Sequence, residues 1–434
     1  MINGQGFTCK CQKYARLLIV PMVMIILLGF LEGTRTKVWA DTVPPSSEAL
    51  SAILFDARRG QILHKKTSDE RNHSPLAGRI MMVLIAIEKA DQESLVTASK
   101  DAVNTEGGIL NLVVGEKYAV KNLVSAVALN GAVDAAVALA EFIGGSEEGF
   151  VTMMNEYAAK LGMTNTRYTN ATGVFDENQY STGDDIMLLL KQALSNSSFN
   201  TVFSTPAKPW YAVSKTVLIT NTNNMFWNYE STDGGMAGGN DENFQSIITS
   251  ATKNSMRLVC LLIDLAPDKM YTESINLLNY GFDNFSYGIL VGAKSVQSTY
   301  TLEGNQTVNL VPIADVHYIF PKGQTFIKDT DFNIDESKLK LPLLKSTVVG
   351  NITFTLMDDF VIQVDLYPDK EILPQKTRKQ VLLERLKENM ELIYLIGGLL
   401  LIELGILTYK VFRFTRRRII RRQVRHHHHM RQHD

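Results

Sequence analysis

Two pairs in the 434-residue chain have the spacing of a serine nucleophile and its lysine base: Ser250 with Lys253, and Ser337 with Lys340. On a helix, residues three apart share a face, so such a pair would bring a hydroxyl within reach of the amine that activates it against a carbonyl. Neither pair has helical surroundings. Ser250 and Lys253 fall in a hairpin expected between Phe244–Ser250 and Arg257–Leu265, where residues three apart point to opposite faces, and Ser337 lies among short strands. A serine–histidine–aspartate arrangement has little to draw on, since between the two apolar ends the only histidines are His64, His73 and His317. Cys9, Cys11 and Cys260 lie in dissimilar surroundings and suggest neither a disulfide scaffold nor a shared metal site. The run His426–His429 does not supply fixed ligand geometry either. No glycine-rich phosphate loop, HExxH or CxxC occurs between the ends, so no cofactor or metal is expected.

The elements that could position chemistry divide the chain. Lys+Arg of 44 against Asp+Glu of 45, with 45% hydrophobic residues, excludes disorder and wholesale nucleic-acid binding. Lys10, Lys13 and Arg16 precede an apolar run from Leu17 to Leu31, and Val38-Trp39-Ala40 resembles a cleavage site, so residues 1–40 read as a signal peptide or N-terminal membrane segment. A second apolar stretch, 390–412, reads as a transmembrane helix. The basic tail 413–434, with Arg413, Arg416, Arg417, Arg418, Arg421, Arg422 and Arg425, places that end in the cytoplasm and the body outside, anchored to the cell membrane. Between these, 46–285 alternates strand and helix patterns, as in Ala52-Ile53-Leu54-Phe55-Asp56 and the helical stretch Arg79–Ala90. Residues 287–368 show short alternating strands and suggest a small β-sandwich, and 369–389 reads as an amphipathic linker.

Several lines carry a resemblance. They are Ile53-Leu54-Phe55-Asp56-Ala57-Arg58-Arg59-Gly60-Gln61-Ile62-Leu63, Asp134–Glu141 with Met153-Met154-Asn155 and Leu161-Gly162-Met163, Asn170-Ala171-Thr172-Gly173-Val174, Ser181-Thr182-Gly183-Asp184-Asp185, Asn221-Thr222-Asn223, and Asp233-Gly234. Over about Ser51 to Tyr367 the chain resembles the D-alanyl-D-alanine carboxypeptidases of the low-molecular-mass penicillin-binding proteins, which are serine peptidases. The resemblance implies an α/β, or α+β, penicillin-binding/β-lactamase-like transpeptidase domain, a β-rich second domain and acyl transfer on peptidoglycan stem peptides. It implies three motifs as well. A Ser-x-x-Lys supplies nucleophile and base, a Ser-x-Asn relays protons, and a Lys-Thr-Gly strand binds the substrate carboxylate.

At the matching positions this chain departs from all three. Anchoring on Ile80–Ala90 puts Leu76 at the nucleophile and Arg79 at the base. Leucine has no nucleophilic atom, and a guanidinium stays protonated where a lysine with a lowered pKa could accept a proton. Aligning Asp134 puts Gly131 and Val133 at the serine and asparagine of the second motif. In the third, Met236 and Ala237 stand for lysine and threonine, and only Gly238 remains. Losing that cation should weaken carboxylate recognition by about 1.5–3 kcal/mol. Three separate segments changed while their scaffold persists suggest a pseudoenzyme, which binds peptidoglycan or a cell-wall enzyme rather than cutting stem peptides. An active carboxypeptidase working through a rearranged site is the alternative.

Overall fold

The computed structural model describes residues 43–67, 69–211, 216–239, 243–302, 305–374 and 378–430, so the expected signal segment lies outside the described residues. The chain divides into two compact units, and the first comprises the chain up to Leu290 with Val316–Asp329 and Thr355–Val361. Its centre is an antiparallel sheet of β1 (Ser51–Asp56), β2 (Ile62–Lys66), β3 (Thr232–Gly238), β4 (Gln245–Lys253) and β5 (Met256–Leu265), in the order β2-β1-β5-β4-β3. Ser51 pairs with Ile263, Asp56 with Leu258, and Ile248 with both Leu261 and Met236.

Strand β1 is buried at all six positions because both faces of the sheet are covered. The period of two sorts its side chains. Ile53 and Phe55 join Val259, Leu261 and Ile263 in one core, and Ala52 and Leu54 join Leu258, Cys260 and Leu262 in another. The first core is filled by helices α1 (Pro75–Lys89), α2 (Val120–Asn130), α3 (Val133–Gly144), α4 (Glu147–Leu161) and α5 (Gly183–Ser195). The second is closed by α6 (Pro267–Asn284) through Leu277 and Leu278. Helix α1 is buried from Pro75 through Ala86, which an apolar circumference such as Ile80-Met81-Met82-Val83-Leu84-Ile85 requires. Each such side chain contributes about 1.5–3 kcal/mol on burial.

The helix expected from Arg79 begins four residues earlier, where Ser74 caps it and Pro75 takes the first turn. The expected hairpin is present, but its first strand runs on to Lys253, and Asn254 and Ser255 both take positive φ in a two-residue turn.

The second unit comprises Val291–Asp315, Thr330–Phe354 and the chain from Ile362. Its strands belong to a five-stranded sheet of β6 (Ser298–Leu302), β7 (Gln306–Val311), β8 (Ile327–Ile334), β9 (Gly350–Leu356) and β10 (Val361–Pro368), in the order β6-β7-β10-β9-β8. Strict alternation in β9 and β10 sends Ile352, Phe354, Ile362, Val364 and Leu366 inward. The α/β body and the β-rich second domain expected from the sequence are thus both present. After a helix over Arg378–Glu388 comes α7 (Met390–Met430). Its stretch Met390–Ile420, whose most apolar part has no buried share, is long and apolar enough to cross a membrane.

Candidate active site

The N-terminus of α1, the α2–α3 junction and strand β3 meet around a cavity of about 370 Å³. Among the sequence-marked positions, Arg79, Gly131, Val133, Ala237 and Gly238 line it. Leu76 and Met236 do not. Both are buried in the sheet-facing core, Leu76 at 0% and Met236 at 1% exposure, so the two largest apolar replacements extend the core beneath the cavity.

Arg79 is the polar centre of the floor. Its Nε and Nη2 donate to the Val127 carbonyl at 3.3 Å, Nη2 donates to that of Ala128 at 3.1 Å, and Nη1 donates to that of Ala237 at 2.8 Å. Val127 and Ala128 lie in the last turn of α2, where the macrodipole is negative, and the Val127 carbonyl also accepts the Gly131 amide at 3.0 Å. The guanidinium thus caps one helix and ties it to β3. Burial lowers its pKa to about 10, which leaves it charged at physiological pH and unable to take a proton from a nucleophile.

The neighbouring glycines are fitted to that group. Gly131 ends α2 at φ +69, and a Cβ there would lie 3.1 Å from Arg79 Cζ; a Cβ on Gly238 would lie 2.7 Å from Nη1. A serine at 131 would therefore face both a left-handed backbone and the guanidinium. Val133 opens α3, and the next residue, Asp134, accepts from the Ala135 amide at 3.0 Å while its Oδ2 is buried without a protein partner. The aspartate expected beside the second motif is thus present and buried.

No lysine, histidine, aspartate or glutamate lines the cavity among the described residues. Its threonine hydroxyls are engaged, Thr222 donating to the Ala237 carbonyl at 2.6 Å and Thr172 to Asn170 Oδ1 at 3.1 Å, while Tyr271 also lines it. His73 binds the Gln179 carbonyl at 2.6 Å and packs edge-on against Phe175. Elsewhere, Ser250 donates to Asp233 at 2.5 Å and accepts from Arg257 at 3.0 Å, while Lys253 covers the rings of Tyr229 and Phe282. Ser337, on a single 3₁₀ turn, donates to Asp335 at 2.5 Å. Neither sequence pair is a nucleophile with its base. The structure adds a pair that sequence spacing could not reveal, Lys208 Nζ at 2.8 Å from Ser125 Oγ. Burial and Lys121 lower the Lys208 pKa, but the Ser125 proton goes to the Lys121 carbonyl and neither residue lines the cavity. Asn130 and Thr222, which do line it, went unmarked as site residues; the helix-ending Asn130-Gly131 step is the local signal for the first.

Residues 39–266 match the D-alanyl-D-alanine carboxypeptidase family, and 290–373 match the penicillin-binding protein 5 C-terminal domain. The chain belongs to the D-alanyl-D-alanine carboxypeptidase family. The resemblance read from its motifs is this membership. D-alanyl-D-alanine carboxypeptidase DacF of Bacillus subtilis is 30% identical over 360 residues, 78% of this chain and 89% of that protein. DacC of Escherichia coli is 30% identical over 334 residues, 72% and 81%. The crystal structure of penicillin binding protein 5 from Haemophilus influenzae has a TM-score of 0.64 at 24% identity, covering 77% of this chain and all of that one. A peptidoglycan synthesis regulatory factor (PBP3) from Streptococcus pneumoniae has a TM-score of 0.65 at 21% identity, covering 76% and 100%. At these identities the structural likeness concerns the fold, and within the family fold Leu76, Arg79, Gly131, Val133, Met236 and Ala237 depart from the motifs expected there.

Proposed function

We propose that this protein is a non-hydrolysing member of its family, a pseudoenzyme of peptidoglycan metabolism that binds stem peptides or a cell-wall enzyme and acts by positioning or regulation. One observation carries the reading: the helix start expected to hold nucleophile and base holds a core leucine and a guanidinium locked onto three backbone carbonyls. Acyl transfer needs a hydroxyl or thiol with a base in reach, and the cavity lining offers engaged threonines and a tyrosine with no base among the described residues. The polar contacts at Arg79 serve the scaffold, so the cavity is kept as a shape rather than as a reaction centre. The apolar helix from Met390, with the arginines that follow it, supports a body held outside the cytoplasmic membrane by one C-terminal anchor.

A fluorescent penicillin tests the reading. The native full-length protein is expected to take up no covalent label, whereas a relative with an intact Ser-x-x-Lys does. An adduct on any hydroxyl of the native protein, absent when it is denatured before labelling, would overturn it.

A further inference from the structure

A cavity of about 480 Å³ that shares no residue with the one at Arg79 is lined by three cations, Arg58, Lys191 and Arg257, with the hydroxyls of Ser195 and Ser255. No aspartate or glutamate lines it among the described residues. Its volume lies in the roughly 300–1,000 Å³ range of ligand pockets. Arg257 is its fixed wall. Nε donates to Asp233 Oδ1 at 3.0 Å, Nη1 to Asn200 Oδ1 at 2.7 Å and Nη2 to Ser250 Oγ at 3.0 Å, which leaves one N–H over on each terminal nitrogen. Lys191, exposed on α5, lays its stem on the turn after β1, where a Cβ on Gly60 would lie 3.0 Å from its Cδ. It enters no hydrogen bond or ion pair among the described residues. Arg58 is exposed too, and its guanidinium meets only the hydroxyl and ring of Tyr287. Asp56 is turned inward at 2% exposure onto the Arg58 and Arg59 amides. The end of α5 does not need these cations. The Gln192 carbonyl takes the Ser195 hydroxyl at 2.6 Å, that of Ala193 the Asn196 amide at 3.0 Å, and that of Leu194 the Asn200 side chain at 2.5 Å.

Cations gathered on one concave surface repel each other until an anion offsets them. Asp233 matches Arg257, so Arg58 and Lys191 are the charges left to match. A carboxylate brings one charge and two oxygens. A phosphate monoester brings about 1.5 to 2 negative charges and three acceptor oxygens, enough for both cations and a spare N–H of Arg257. We propose that this cavity binds a phosphate monoester between Arg58 and Lys191, against the wall that Arg257 makes. The site is separate from the Arg79 cavity and does not depend on whether that cavity hydrolyses anything.

The probe is glycerol 3-phosphate, titrated calorimetrically at low salt into the full-length protein in nanodiscs of neutral lipid. Saturable binding at one site is expected. Lys191→Gln should weaken it about five-fold, a charge-assisted bond discounted for exposure, and Lys191→Arg should retain it. Arg58→Gln should weaken it similarly, but it also releases Tyr287, so Lys191→Gln, which breaks no contact, carries the test. Glycerate, with one charge in place of two, should bind at least ten-fold more weakly than glycerol 3-phosphate. Absence of saturable binding, glycerate binding as tightly, or an equal loss in Lys89→Gln, whose cation lies outside the cavity, each overturns the assignment. Phosphatidic acid added to the nanodisc separates the sources of the ester. Displacement of the probe assigns a lipid headgroup and undiminished binding a free ester, and both keep the phosphate monoester. Penicillin acylation would sink the earlier reading without moving any of these measurements.

Discussion

At Arg79 a side chain that cannot act as a base makes a set of backbone contacts instead. A lysine at that position would carry three donors on a point charge, whereas the guanidinium spreads its donors in a plane and reaches Val127, Ala128 and Ala237 together. The plane needs room, and Gly131 and Gly238 supply it. Arg79 and Gly131 are therefore coupled. Gly131→Ser should destabilise by about 1–3 kcal/mol through left-handed strain and overlap, and less in an Arg79→Lys background. Urea melts of the four members of the cycle read the coupling, and strict additivity would refute it. Leu76→Ser removes a fully buried side chain and should cost about 2–5 kcal/mol. Combined with Arg79→Lys, it should restore no turnover of a D-Ala-D-Ala peptide, since Met236 leaves carboxylate recognition without its lysine. A rate approaching that of an active relative would contradict this. The departures from the expected motifs were legible in the sequence because each is a matter of residue type. What Arg79 does instead was not, because its carbonyl partners lie 48 to 158 residues away and no local pattern encodes them.

At the scale of elements, legibility followed how local the determinant is. Strand β1 reads as a continuous apolar run, yet its partner β5 lies some two hundred residues on, and only the closed sheet makes both faces interior. The strand expected to end at Ser250 continues as β4 through Thr252 and Lys253. Tertiary contacts with Asp233, Arg257, Tyr229 and Phe282 hold them in the strand. The start of α1 was legible in principle from Ser74-Pro75. Strand β2 carries a titratable consequence of the same packing. His64 meets Tyr280 of α6 edge-on, and burial holds its pKa below the usual value of 6.5. As pH falls through 6.5 the unfolded chain takes up the proton first, so stability declines from there down to the folded pKa and is level above. His64→Gln should flatten that decline between pH 7.5 and 5.5 in urea melts, and an unchanged slope would show that the decline arises elsewhere.

For the whole molecule, a net charge of -1 conceals a chain whose basic residues crowd one end. From Met390 to Ile420 the large apolar side chains stand in the open, Leu401 at 70% and Ile402 at 61%, a surface that water does not tolerate at this length. An apolar run of this length needs no tertiary partner to be recognised, which is why this segment was readable from hydropathy alone while the Arg79 cavity was not. Glu403 is the acid nearest the middle of this stretch, and Lys410, Arg413, Arg416, Arg417 and Arg418 follow it, a cluster that would be retained on the cytoplasmic side were the helix to cross a membrane. Deleting 390–434 should therefore move the body from the carbonate-resistant membrane pellet to the soluble fraction. Glu403→Leu should leave it in the pellet. Protease added to intact cells should remove the body and spare an epitope placed after Arg425. A truncated chain that still pelleted, or an epitope cut together with the body, would mean that Met390–Ile420 covers its apolar surface with protein rather than lipid.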